Sequence, residues 1–180
     1  MRKLLLFFLT TLALMSCDKD DDAPQALPEA TQTGRGIFAC YVNGKPFIDN
    51  SGSPNGISFN CYYQLIDGEY YFGIQGGHNG VDSVISVGLS TINLGIQQNT
   101  TYNLLERQSG NSSGTCIVNP DFNTQEFTDT NTEYSGEMTI TKFDMENRIL
   151  SGTFWFDVEN PFTGETIEIR EGRFDTRFGT

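Results

Sequence analysis

Basic residues are scarce in this chain of 180 residues. Eleven Lys and Arg stand against 23 Asp and Glu, for a net charge of −12. A surface that acidic repels phosphate, so nucleic acid is excluded as a partner, and the charge serves solubility outside a cell. There is one histidine, His78, in Gly76-Gly77-His78-Asn79-Gly80. Without a second histidine it makes no metal centre, and its plain reading is a polar hairpin loop. The four cysteines lack zinc-site spacing. Gly110-Asn111-Ser112-Ser113-Gly114 fits the pattern of a serine nucleophile elbow, but that device needs a helix after a parallel strand, and no helix signal follows. Asp129, Asn131 and Glu133 alternate as in a calcium loop, yet Tyr134 stands where such a loop needs glycine. The order of residues therefore singles out no catalytic residue, metal ligand or cofactor, and the chain is read as not an enzyme. Long hydrophobic runs are missing as well. The apolar run at residues 4–15 is too short for a spanning helix, which needs ~20 residues. Nothing after it places apolar residues at helical spacing over any length.

What is abundant is glycine, at 19, and aromatic residues, with 14 Phe and 7 Tyr. Glycine turns between aromatic and β-branched runs predict an all-β domain. Residues 57–65 alternate, with Ile57, Phe59, Cys61, Tyr63 and Leu65 on one face. Asp67-Gly68 then forms a two-residue turn, which pairs Leu65 with Tyr70, Tyr63 with Phe72 and Cys61 with Ile74. The opposite face carries Asn60, Tyr62, Gln64, Tyr71 and Gln75, and tyrosines among amides make it a candidate ligand face. Ile85, Val87 and Leu89 offer a third apolar face. Near the C-terminus Met138 and Ile140 share a face. A turn at residues 144–148 leads to Leu150, Phe154, Phe156 and Val158, and the loop 160–164 leads to Ile167 and Ile169. That register puts Phe156 opposite Ile169 and Trp155 beside Arg170, with a bulge at Gly172. Trp155 then stacks on Arg170, with a ligand platform as its other reading. Eight to ten such strands suggest an antiparallel two-sheet β-sandwich over residues 36–180, with a flattened β-barrel as the alternative.

Ahead of this domain lie Arg2 and Lys3, the apolar run, and Leu14-Met15-Ser16-Cys17. This layout resembles the signal peptide and lipobox of bacterial lipoproteins. The resemblance implies cleavage after residue 16 and a lipid on Cys17, which anchors the chain to a bilayer. Asp18-Lys19-Asp20-Asp21-Asp22 resembles the surface-export signal of Bacteroidota lipoproteins, which implies the outer face of the outer membrane. Residues 17–35 are then an acidic flexible tether, rich in Pro, Ala, Gln and Thr from residue 23.

Two stretches resemble a family of small Bacteroidota lipoproteins whose β-rich domain has no assigned function. The first is Phe38-Ala39-Cys40-Tyr41-Val42-Asn43-Gly44-Lys45-Pro46-Phe47. The second is Ile149-Leu150-Ser151-Gly152-Thr153-Phe154-Trp155-Phe156-Asp157, continuing through Glu171-Gly172-Arg173-Phe174-Asp175. The family implies a lipid-anchored β domain and supplies no catalytic residues. Export permits a disulfide, and Cys40–Cys61 is the preferred pair, ahead of three buried thiols with Cys116. Asp82-Ser83-Val84 resembles a Bacteroidota O-glycosylation site at Ser83. Three functions remain open: a non-catalytic module that binds a glycan, a peptide or an envelope protein; a purely structural envelope protein; and a glycan-active hydrolase.

Overall fold

The computed structural model describes residues 26–49, 60–121 and 123–179. The leader, Cys17, the acidic run at 18–22, and Ile57 and Phe59 lie outside the described residues. Among the described residues eleven strands follow one another: β1 (Ile37–Val42), β2 (Lys45–Ile48), β3 (Asn60–Ile66), β4 (Glu69–Val81), β5 (Val84–Ile92), β6 (Thr100–Leu104), β7 (Ser112–Val118), β8 (Glu126–Asp129), β9 (Gly136–Asp144), β10 (Ile149–Glu159) and β11 (Thr166–Arg177). Turn chemistry sets the hairpins. Asn43-Gly44 and Asp67-Gly68 all take positive φ (49°, 76°, 53° and 87°), the geometry that matches strand twist in two-residue hairpins.

One sheet runs in the order β2-β1-β11-β10-β9-β6-β7-β5-β4-β3, with β8 added to β7. Its strand pairs are antiparallel apart from a parallel contact at Leu104 and Ser112. The sheet folds over on itself, and aromatic residues lock the two layers. Phe72 on β4 meets Phe174 on β11 at 6.4 Å, and Tyr63 on β3 meets Phe143 on β9 edge-on at 5.0 Å. Phe38 of β1 lies against Gly76 of β4. The core comprises Phe38, Phe47, Phe72, Phe156 and Phe174 with Leu, Ile, Met and Val from every layer. Each such side chain contributes ~1.5–3 kcal/mol on burial. The sheet is not closed into a barrel, so the sandwich is the architecture. At its edge Gly179 bridges to β3, exchanging backbone hydrogen bonds with Cys61 and Tyr63.

The first hairpin has the predicted register, with Leu65 opposite Tyr70, Tyr63 opposite Phe72 and Cys61 opposite Ile74. Other expectations need correction. The Cys40–Cys61 disulfide does not form: Cys40, Cys61 and Cys116 are free thiols. Cys40 lies on β1 and Cys61 on β3, strands that do not pair with each other, so nearness in sequence does not become pairing in the sheet. His78 belongs to strand β4 rather than to a loop, with its ring 5.3 Å from that of Phe47. Ile85 does not share the inward face with Val87 and Leu89. An irregularity between Val84 and Ser86 sends Val84 inward instead. The C-terminal bulge falls at Arg170 and Glu171, and Glu171 takes positive φ. Gly172 has a different role, because a Cβ there would sit 2.4 Å from the Phe154 ring.

Residues 28–35, read in the sequence as part of a flexible tether, are held against the domain. Thr31, Thr33, Gly34 and Arg35 all donate to the Asp175 carboxylate, and Arg173 donates to the Pro28 carbonyl. The segment just before β1 is thus docked along β11.

Candidate functional site

The outer face of the β3–β4–β5–β7–β8 layer carries an open groove of about 270 Å³. Strand register lays out its residues in rows. Asn60 pairs with Gln75, Gln75 with Gly88, Gly88 with Thr115, and Thr115 with Asp129. The neighbouring row runs from Tyr62 through Gly73 to Ser90. Gly88 leaves the floor of the first row open between Gln75 and Thr115, and Gly73 gives the Tyr62 ring room to lie over the second row.

The walls are aromatic. Tyr62 is 38% exposed and its ring leans over Gly73, where a Cβ would lie 2.5 Å from ring atoms. Phe127 on β8 is 64% exposed, an unusual setting for a Phe side chain. Polar groups stand between them. The Gln75 amide nitrogen donates to Ser86 Oγ at 2.7 Å. Ser90 and Ser113 hydroxyls hydrogen-bond each other at 2.9 Å, and the Thr115 hydroxyl donates to the Asp129 carboxylate. Arg107 enters from the loop between β6 and β7. Aromatic faces beside amides, hydroxyls and one guanidinium can stack on a ring and hydrogen-bond its substituents.

Of the predicted ligand face, Asn60, Tyr62 and Gln75 line the groove. Gln64 and Tyr71 pair with each other on the same strands, nearer the hairpin tip and outside it. Arg107, Thr115, Phe127 and Asp129 were not foreseen. They come from the middle of the chain: the pairing of β7 with β5 brings in Thr115 and the loop before it, and the pairing of β8 with β7 adds Phe127 and Asp129.

The remaining candidates sit elsewhere. Ser112, the serine of the elbow-like pattern, is buried in β7 and donates to the Asn103 carbonyl. Asn131 accepts from the Glu133 and Tyr134 amides and closes a turn, and among the described residues no cluster suits a metal ion. Ser83 lies in the β4–β5 turn with φ of 68°, beside Asp82, which pairs with Lys45. Trp155 has the Arg170 guanidinium 5.7 Å from its ring centroid, the stacking that the register implied. Burial raises the thiol pKa of Cys40 and Cys116, and pushes that of Cys61 up to about 12. None of the three is a reactive thiolate at neutral pH. Compared with known proteins, the chain matches no family model, no curated protein and no solved structure.

Proposed function

We propose that this chain is a lipid-anchored lipoprotein of the outer membrane surface, of the Bacteroidota type, whose β domain is a non-catalytic glycan-binding module. The observation that carries the binding reading is the glycine-floored groove between Tyr62 and Phe127. Sugars present an apolar ring face and a rim of hydroxyls, and this groove offers aromatic surface next to amide, hydroxyl and carboxylate partners. Hydrolysis of glycosides uses two carboxyl groups. Among the described residues of the groove Asp129 is the sole carboxylate, and it already accepts from Thr115. That favours binding over hydrolysis.

The test is a glycan array probed with the detergent-solubilised full chain, beside Tyr62→Ala and Phe127→Ala. Each variant is expected to lose about tenfold in affinity, the equivalent of ~1.4 kcal/mol. Retention of no glycan, or retention that both variants leave untouched, overturns the reading. The anchor is tested by Cys17→Ser, which should release the chain from the membrane fraction, and unchanged fractionation would refute it.

An envelope protein as partner has one observation in its favour. Leu65, Ile66, Tyr70 and Met145 are 59%, 48%, 42% and 56% exposed at one end of the sandwich and line a single apolar hollow. Leu65→Ser with Ile66→Ser would abolish a protein contact there and leave glycan retention intact.

A further inference from the structure

Among the ion pairs of the described residues, Lys45 holds Asp82, Lys142 holds Asp144, Arg170 holds Asp157 and Glu168, and Arg173 holds Glu171. Arg107 is in none of them. It lines the groove, in a chain where acidic residues outnumber basic ones by two to one. Glu106 precedes it in sequence and Asp129 lines the same groove, yet neither pairs with it.

The loop that presents Arg107 is held firmly. Leu105 N–H donates to the Ser112 carbonyl at 2.9 Å, and Gly110 N–H to that of Ile92 at 2.7 Å. The Asn111 amide side chain donates to the Glu106 carbonyl at 3.0 Å. Thr130, buried at 1% exposure, donates its hydroxyl to the Leu105 carbonyl at 2.6 Å and accepts from Gly114 N–H. A backbone stitched at this many points keeps the arginine's attachment fixed without a ligand, which lowers the ordering cost of binding one.

We propose that the groove takes an acidic glycan, one whose sugar carries a carboxylate, and that Arg107 is the residue that selects it. This rests on the glycan-binding reading of the same groove. The guanidinium offers a planar fork of donors that fits a carboxylate bidentately, as no neutral side chain does. Tyr62 and Phe127, at opposite ends of the groove, each take a sugar ring, and Asn60 and Gln75 the hydroxyls. Asp129 keeps its contact with Thr115 and accepts from a sugar hydroxyl. The net charge of −12 slows the approach of an anion, so discrimination comes from the contact itself rather than from long-range steering.

The experiment is a titration of the full chain with oligogalacturonate, with its fully methyl-esterified form as the neutral match, and with a panel of neutral oligosaccharides. Wild type should bind the acid at least about tenfold more tightly than the ester. Arg107→Gln should erase that preference by weakening binding of the acid about tenfold more than binding of the ester, and Arg107→Lys should restore part of it. Circular dichroism confirms that the variants fold. If acid and ester bind alike, or neutral oligosaccharides bind while the acid does not, the acidic specificity is wrong and the glycan reading stands. If wild type binds neither acidic nor neutral sugars, both fall.

Discussion

Asp175 is 1% exposed, and its carboxylate accepts five hydrogen bonds, from Thr31, Thr33, Gly34, Arg35 and Ser151. Burial acts to raise its pKa, but the hydrogen bonds outweigh burial and hold it below the ordinary carboxylate value. A carboxyl depressed in the folded state stabilises fully above its unfolded pKa of ~3.9. That stability is lost as pH falls through the lower folded value. Asp175→Asn should therefore cost about 2–3 kcal/mol at neutral pH in urea unfolding, and the difference from wild type should shrink below about pH 4. An unchanged gap at low pH would mean that the carboxylate charge does not hold the clasp. The cysteines give a second check at the level of single side chains. Native protein should leave Cys40 and Cys116 unmodified by iodoacetamide, and denatured protein should take up label at both and at Cys61. A native mass that reveals a Cys40–Cys61 bridge would contradict the free thiols. Arg170 braces the C-terminal bulge by donating to the Phe156 carbonyl at 3.1 Å while stacking on Trp155. Arg170→Ala should cost about 1–2 kcal/mol and shift the emission of the sole tryptophan to the red.

Hairpins were legible in the sequence where the turn and the period-two pattern agreed. Asp67-Gly68 fixes the register of β3 on β4, and the match of Phe156 with Ile169 fixes β10 on β11. Bulges were not legible, because a bulge is a mismatch between two strands and one strand's pattern does not reveal it. Hence Ile85 and Gly172 were misread, while the irregularities lie at Val84–Ser86 and at Arg170–Glu171. The groove was half legible for the same reason. Tyr62 and Gln75 follow from local alternation, whereas Phe127 and Asp129 depend on which strand β8 chooses. The role of Gly88 gives a test at this level. A Cβ there would meet the Ile74 carbonyl oxygen at 3.3 Å, so the β4 backbone must give by a few tenths of an ångström to admit alanine. Gly88→Ala should change stability by less than about 1 kcal/mol yet weaken glycan retention, since the methyl fills the trough. Equal retention would show that the ligand does not reach the floor.

Strands far apart in sequence hold the molecule together. β11 pairs with both β1 and β10, so the first strand of the described domain completes its pairing only when the last arrives. Such non-local pairing predicts slow, cooperative folding. Deleting residues 166–180 removes the common partner of β1 and β10 and should abolish the folded state, seen as loss of the near-ultraviolet signal. The same topology presents the groove on one outer face and docks residues 28–35 along the other layer. Hydrogen–deuterium exchange of the full chain, with and without the glycan best retained on the array, tests groove binding most directly. Slower exchange confined to residues 60–62, 73–75, 88–90, 105–115 and 127–129 is the expected result; protection confined to β10 and β11 around Trp155, or no protection at all, would contradict it.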